Sequence, residues 1–466
     1  VVPANVIDTW KRYLSDDVGP NGEQLGYFKK GKAPSVLKIE SLSDIAKISD
    51  RYDYVIISHD RFTEEYAEKL KTAPCEMVII DESHKFKNLD NGVRSEALLS
   101  LMEEYKKRDI YTVLLSGTPV PNKIKDIAIT LKLLYPEEFG QMDNKVLSAS
   151  IIGGDLINLR DLLFKKTQMK KHSIELPEKI EQNTRVTFSE EEQELYELLL
   201  DDDELTATGK LSALRLFCLN PQKIFPDRNI RSSKVEQTEK DVKALFDEND
   251  KVVFFVNGYV DGVIRGENSA LSQLDLPEGT QVRIIDGQVS AQERAQIEKD
   301  MKYLTSGKML LVVNGGAADV GVDFSSADAV YYYNEPWSKF DKMQQTARVY
   351  RPGLAHDITV DTSIIEGSIE EGIHYYLEMK YKAVQKLLEG VPLSELETSI
   401  LLMDEKVTQE VTIDGDKGLA EEWLQSPMNR LNKFFGATKE IGEKKFKETF
   451  LNKYGEEYAE YYADMG

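Results

Sequence analysis

The residues best suited to chemistry in this chain are two adjacent acids that close an apolar run. Met77-Val-Ile-Ile-Asp-Glu-Ser-His84 reads as a buried strand ending in Asp81 and Glu82. In a parallel α/β sheet the carboxyl edge is where ligands bind, so both carboxylates face the substrate side. Phosphoryl transfer needs one carboxylate to hold Mg²⁺ and another group to orient the attacking water. Asp81 suits the first task and Glu82 the second. An acidic turn after a strand is common in α/β proteins, so the pattern gains weight only from company. Thr112-Val-Leu-Leu-Ser-Gly-Thr-Pro119 supplies it: a second apolar strand brings Ser116 and Thr118 to the same edge. Their hydroxyls can relay the state of a nucleotide to a bound strand through hydrogen bonds. The third set is Gln344-Gln-Thr-Ala-Arg-Val-Tyr-Arg351, where helical spacing puts Gln344, Arg348 and Arg351 on one face. Arginines that reach a γ-phosphate neutralise charge built up in the transition state, an effect of roughly 10³–10⁵ in rate.

Elements to position these groups are visible along the chain. Tyr54–Ile57, Met77–Ile80 and Val113–Leu115 read as buried strands in the first third. Val252–Val256, Val282–Ile285, Met309–Val313, Ala329–Tyr333 and Ile358–Val360 do so later. Helical patterns intervene at Thr63–Thr72, Arg94–Lys107 and Ser290–Lys302. Continuous apolar strands separated by helices imply βαβ units and parallel sheets covered on both faces. Right-handed crossovers then make two doubly wound sheets the expected architecture. Between them, roughly 155–251 shows no strand series and reads as helical insertions plus a linker. After about Gly390 the chain turns acidic and helical.

A chain of 466 residues calls for two or three domains, and its 41% hydrophobic and 30% charged residues are those of a globular protein. No apolar run is long enough to span a bilayer, and no leader pattern opens the sequence. Cys75 and Cys218 are the only cysteines, and no Cys/His cluster has metal-ligand spacing. A reducing, cytoplasmic and nucleoid-associated setting is expected, without a membrane. The net charge of −22 excludes a protein that coats nucleic acid nonspecifically. A motor, however, needs only a basic track. Its candidate pieces are Lys29, Lys30 and Lys32; Lys165, Lys166, Lys170 and Lys171; and Arg228, Arg231 and Lys234.

Taken in order, the motifs resemble those of the SNF-family (Swi/Snf-type) ATPases. Asp81-Glu-Ser-His84 with Lys85-Phe-Lys-Asn88 is similar to that family's Walker B segment, and Ser116-Gly-Thr-Pro-Val-Pro-Asn122 to its next motif. Leu176-Pro-Glu-Lys179 resembles the lobe junction, and Leu214-Arg-Leu with Cys218-Leu-Asn-Pro221 the helix after it. Gly321-Val-Asp-Phe-Ser-Ser326 and Glu335-Pro-Trp337 lead into the arginine segment in the family's order. The likeness covers about Val1 to Glu371.

The resemblance implies two RecA-like doubly wound parallel-sheet lobes with helical insertions and a helical C-terminal tail. The first lobe falls at 1–172, the insertion and linker at 173–235, the second lobe at 236–390 and the tail at 391–466. It implies a DNA-stimulated ATPase that uses ATP and Mg²⁺, steps along double-stranded DNA and displaces or remodels a DNA-bound protein complex. Asp81 and Glu82 become the Mg²⁺ and water residues, Arg348 and Arg351 the arginine fingers, and Gln344, Gly321 and Asp323 nucleotide-side contacts. Ser58, Ser116, Thr118 and Asn257 would couple DNA to ATP, with Gly321 and Asp323 also taking part. Departures are Asn220 for a usual His, Ala318-Asp319 for a Gly pair, Tyr350 for His and Leu354 for Gln. They point to a compact bacterial or phage-type branch. No Gly-x-x-x-x-Gly-Lys-Ser/Thr occurs, so the phosphate-cradling loop is expected upstream of Val1, and the chain alone should bind ATP poorly. The alternatives are a non-catalytic scaffold with a motor fold, and a strand-separating DNA or RNA helicase.

Overall fold

The computed structural model describes residues 1–18, 26–29, 31–86, 92–117, 126–144, 146–147, 176–202, 207–318, 323–351, 354, 356–389 and 391–393. They divide into two compact units, one within residues 1–169 together with 386–392, the other within 170–385. The mixed α/β class is the one expected. Among the described residues no helix is long and apolar enough to cross a membrane.

In the first unit β1 (Val36–Lys38) pairs in parallel with β2 (Tyr54–Ile56), and β3 (Met77–Ile80) with β4 (Tyr111–Leu114). The first two residues of the chain join these pairs. Val2 N–H donates to the Ile57 carbonyl at 3.0 Å, and its own carbonyl accepts from His59 N–H at 2.8 Å. On the other side the Val1 amine donates to Ile79 O at 2.7 Å, and Val1 O accepts from Asp81 N–H at 2.9 Å. The ladder thus runs 36–38, 54–58, 1–2, 77–81, 111–115, and it brings residue 1 directly beside Asp81. The helix Val93–Lys107 buries Ala97, Leu98, Leu101, Met102 and Tyr105, a stripe at helical spacing. Tyr105 Oη then donates to the Leu70 carbonyl at 3.0 Å, tying this helix to the end of Glu64–Leu70.

The second unit is built on a six-stranded parallel sheet in the order β5-β10-β9-β6-β8-β7. Its strands are β5 (Lys179–Val186), β6 (Lys251–Val256), β7 (Gln281–Ile285), β8 (Met309–Asn314), β9 (Ala329–Tyr332) and β10 (Ile358–Ile365). Because side chains alternate across a strand, each apolar run feeds two cores. Val253, Phe255, Leu311, Val313, Val330 and Tyr332 face one. Val252, Phe254, Leu310, Val312, Ala329 and Tyr331 face the other. This is the doubly wound arrangement expected from the continuous apolar runs.

The strandless reading of 155–251 is corrected by β5, which pairs with β10 along its whole length, Ile358 opposite Lys179 through Ile365 opposite Val186. Its sequence, Lys-Ile-Glu-Gln-Asn-Thr-Arg-Val, is polar because β5 is the sheet's edge and is mostly exposed. The helices Glu190–Leu200 and Ala207–Leu219, in the expected insertion, pack within the second unit. Leu195, Tyr196, Leu199, Leu214 and Phe217 share one core with Val186 and Ile365. Beyond residue 393 the expected helical tail lies outside the described residues.

Candidate active site

The carboxyl ends of β3 and β4 converge as the apolar pattern requires. Leu115 N–H donates to Ile80 O at 2.8 Å, and Ser83 N–H donates to Leu115 O at 2.9 Å, so the pairing continues past both strands. The acids and Ser116 are thereby fixed on one edge. Glu82 takes φ = 47°, in the left-handed region that a non-glycine residue enters at a cost of about 1–2 kcal/mol. That turn reverses the chain sharply after Asp81, and a short helical turn, Ser83–Phe86, follows. His84 Nδ1 lies 3.2 Å from Glu82 Oε2 and 3.0 Å from Ser116 Oγ. Both contacts fall on the same ring nitrogen, so the imidazole stands against the candidate water-orienting carboxylate and the candidate coupling hydroxyl together. Sequence reasoning singled out Glu82 and Ser116 but not His84, although it lies two residues from the first.

Asp81 accepts two N–H donors. Its Oδ1 takes the Glu82 backbone N–H at 3.0 Å, and its Oδ2 takes the Trp10 indole Nε1–H at 2.8 Å. Both donors are neutral, and each oxygen keeps a lone pair. A hard oxygen ligand of this kind suits Mg²⁺. Ser58, a candidate for DNA coupling, is 3% exposed and bridges to Val2 in the sheet interior, which leaves it no surface for a phosphate.

In the second unit the helix Lys339–Thr346 ends before the arginines. The expectation that Gln344, Arg348 and Arg351 share one helical face is therefore corrected. Arg348 N–H donates to Gln345 O at 3.0 Å in a tightened turn, while Arg348 O accepts from Phe324 N–H at 3.0 Å. Val349 is fully buried, and its insertion into the core draws the chain off the helix axis. Arg351 Nη1 lies 3.3 Å from Asp323 Oδ1, so two candidate residues pair with each other. Burial alone would raise the Asp323 carboxyl, but bonds from Ser325 and the Arg351 guanidinium hold it below the usual carboxylate range.

Asn257 follows β6, where the chain switches from one side of the sheet to the other, since β6 is flanked by β8 and β9. Its Nδ2 donates to Asn334 O at 2.9 Å, and its Oδ1 accepts from Gln345 Nε2 at 2.8 Å. Gln345, not singled out from sequence, is the buried glutamine of the pair; Gln344 is half-buried. Gly315 is required here, because a Cβ would stand 1.9 Å from Asn257 Oδ1. Thr118, Gly321 and Asp319 lie outside the described residues, as do Lys30 and 165–171.

In the third stretch of the expected basic track, Lys234 is corrected. Lys234 is wholly buried with its Nζ 2.6 Å from Glu370 Oε2. Arg231 Nη2 is 2.5 Å from Glu239 Oε2, and Arg228 lies 3.9 Å from Glu191. These cations already have carboxylate partners.

Comparison with known proteins bears on the family. Residues 1–225 match the SNF2-related domain, and residues 235–353 match the helicase conserved C-terminal domain. A putative ATP-dependent helicase/translocase of Bacillus subtilis is 24% identical over 84% of this chain and 43% of its own length. The ISWI chromatin-remodeling complex ATPase of Saccharomyces cerevisiae is 25% identical over 76% of this chain and 33% of its own. The solved SWI2/SNF2 ATPase core of Sulfolobus solfataricus, in complex with dsDNA, aligns with a TM-score of 0.37 and 22% identity, over 86% of this chain and 85% of that one. The chain spans less than half the length of these two curated relatives. Both halves of the motif series, the Asp-Glu strand with its hydroxyl partner and the arginine segment, fall inside the matched regions, and the chain belongs to the SNF2-related family of helicase-like ATPases.

Proposed function

We propose that this chain is the motor portion of a DNA-stimulated ATPase that translocates on double-stranded DNA to remodel or displace bound protein. The observation that carries the reading is the Glu82–His84–Ser116 chain, with contacts of 3.2 and 3.0 Å. It connects the group that would orient water to the group that would sense nucleic acid. A purely structural acidic turn has no need of a relay to the neighbouring strand, or of the strained backbone at Glu82.

In this reading Asp81 holds Mg²⁺, which when bound neutralises charge on the β- and γ-phosphates. Glu82 orients the attacking water. His84 stands beside both Glu82 and Ser116, so a shift of either would be felt at the same ring nitrogen. Arg348 and Arg351 meet the developing charge on the γ-phosphate, and Arg351 leaves Asp323 to do so. Gln344 would touch the nucleotide, and Asn257 would act through the loop it anchors. This sequence holds no Gly-x-x-x-x-Gly-Lys-Ser/Thr motif, so hydrolysis is tested with such a phosphate-loop segment supplied.

An exposed aromatic surface supports nucleic acid as the track. Trp337 is 55% exposed, and the buried Arg215 guanidinium lies 3.9 Å from its ring centroid on the inner side. The exposed ring edge, the positive end of the ring quadrupole, can meet a phosphodiester backbone. The bacterial and yeast relatives are described as a translocase and a remodelling ATPase, which favours the same class of work.

The test is displacement of a third strand from a DNA triplex by the chain with a phosphate-loop segment supplied. ATP-dependent release without unwinding of the underlying duplex is expected. Separation of the duplex itself would move the assignment to a strand-separating helicase.

A further inference from the structure

We propose that Trp10 is a positioning residue for the metal carboxylate: its indole N–H fixes the Asp81 side chain so that the free edge of the carboxylate is presented to the metal. The proposal rests on the reading of Asp81 as the Mg²⁺ ligand. Trp10 lies on the helix Ile7–Tyr13, 71 residues from Asp81 in sequence, yet its Nε1 stands 2.8 Å from Asp81 Oδ2. Among the described residues it is the one side-chain hydrogen bond to that carboxylate. The helix is held in place from below, where Trp10 packs with Val6 and Leu14 against the buried cluster of Val2, Ile7 and Ile56. Val2 is itself a rung of the sheet next to β3, so the indole and the carboxylate are set by the same framework.

The chemistry of the donor matters. Indole has one N–H and no acceptor, so it can orient a carboxylate but cannot ligate a metal. A lysine at this place would hold Asp81 equally well but would repel the cation. With Glu82 N–H on Oδ1 at 3.0 Å, the two donors fix the carboxylate plane while leaving one lone pair on each oxygen. The space beside the pair, about 390 Å³, is lined by Trp10, Tyr13, Tyr27 and Phe28, with Asp81 as its acidic wall. Of the side chains that line this space, Trp10 is the one that donates to Asp81. Groups that orient a metal ligand in this way are typically worth about 10- to 100-fold in metal affinity. The competing explanation is that the indole merely satisfies its own N–H while packing.

Two readouts separate these accounts. In the full chain labelled with ¹⁵N-tryptophan, the indole signals of Trp10, Trp337 and Trp423 are assigned by single replacement with Phe, and Mg²⁺ is added without nucleotide. The Trp10 N–H signal should move saturably with Mg²⁺, and those of Trp337 and Trp423 should not. Mn²⁺ binding is then followed by water-proton relaxation in the native chain, in Trp10→Phe and in Asp81→Asn. Trp10→Phe keeps the ring and removes the N–H, and it should weaken Mn²⁺ binding about 10-fold. Unchanged affinity in Trp10→Phe, with binding lost in Asp81→Asn, overturns the positioning role and leaves the metal reading intact. Binding unaffected by Asp81→Asn overturns the metal reading itself. If Trp10→Phe does not fold, a Trp10 signal that stays still while Asp81-dependent Mn²⁺ binding is present overturns the proposal from the native protein alone.

Discussion

Glu82 combines a strained backbone with a carboxylate that touches His84, and both features matter to what its replacement should do. Glu82→Gln keeps the shape and removes the charge, so turnover should fall to background while nucleotide binding persists, as read by fluorescent nucleotide titration beside a phosphate-release assay. Activity close to the native level would remove Glu82 from the mechanism. Ser116→Ala cuts the other end of the chain, 3.0 Å from His84. It should lower the DNA-stimulated rate about 10-fold and leave the unstimulated rate unchanged, the size expected for one lost hydrogen bond of about 1.4 kcal/mol. Arg348→Ala and Arg351→Ala should each depress kcat by at least ~10²-fold. At this scale the sequence was readable where a residue's neighbours in space are its neighbours in the chain: an apolar strand announces its own terminal acids. Trp10 and Gln345 were not readable as site residues. Their partners, Asp81 and Asn257, lie 71 and 88 residues away, and no local pattern encodes a contact of that separation.

Elements buried on both faces were legible from runs of apolar residues, and β6, β8 and β9 lie within a residue or two of where those runs fall. β5 was hidden because an edge strand is specified by its partner's backbone rather than by its own side chains. The arginine helix was read too long, because periodic spacing cannot reveal that Val349 turns inward. The packing of the second unit makes its own prediction. Lys234 and Glu370 form a buried pair at 2.6 Å that joins the helix Ser233–Glu248 to the start of Ile369–Glu389, and Lys234 Nζ also donates to Ser363 O at 3.2 Å. Lys234→Met strands a buried carboxylate and should cost about 3–5 kcal/mol in the urea transition of this unit. The double replacement Lys234→Met with Glu370→Leu should recover most of that loss. If the single replacement is neutral, the pair does not hold the helices together.

Across the whole chain, a net charge of −22 coexists with the proposed DNA track, and internal pairing of the cations near Arg231 bears on how. Arg231→Ala should change DNA affinity less than about two-fold at any salt concentration, since its guanidinium already serves Glu239; a shallower salt dependence of binding would show that it contacts phosphate. The pH response has a stated sign. Burial lowers the pKa of His59 from 6.5 to about 4. Between these values the unfolded chain binds a proton that the folded one refuses, so stability falls as pH drops from 6.5 and levels off near 4. The loss is up to about 3 kcal/mol, and His59→Leu should flatten that part of a plot of Tm against pH. The central claim, a motor driven by duplex DNA, is tested most directly by ATP hydrolysis with the phosphate-loop segment supplied, comparing duplex DNA, single-stranded DNA and RNA. The account predicts strong stimulation by the duplex and little by either single strand. A folded protein that hydrolyses no ATP with any of the three would contradict it and make the chain a binding scaffold with a motor's fold.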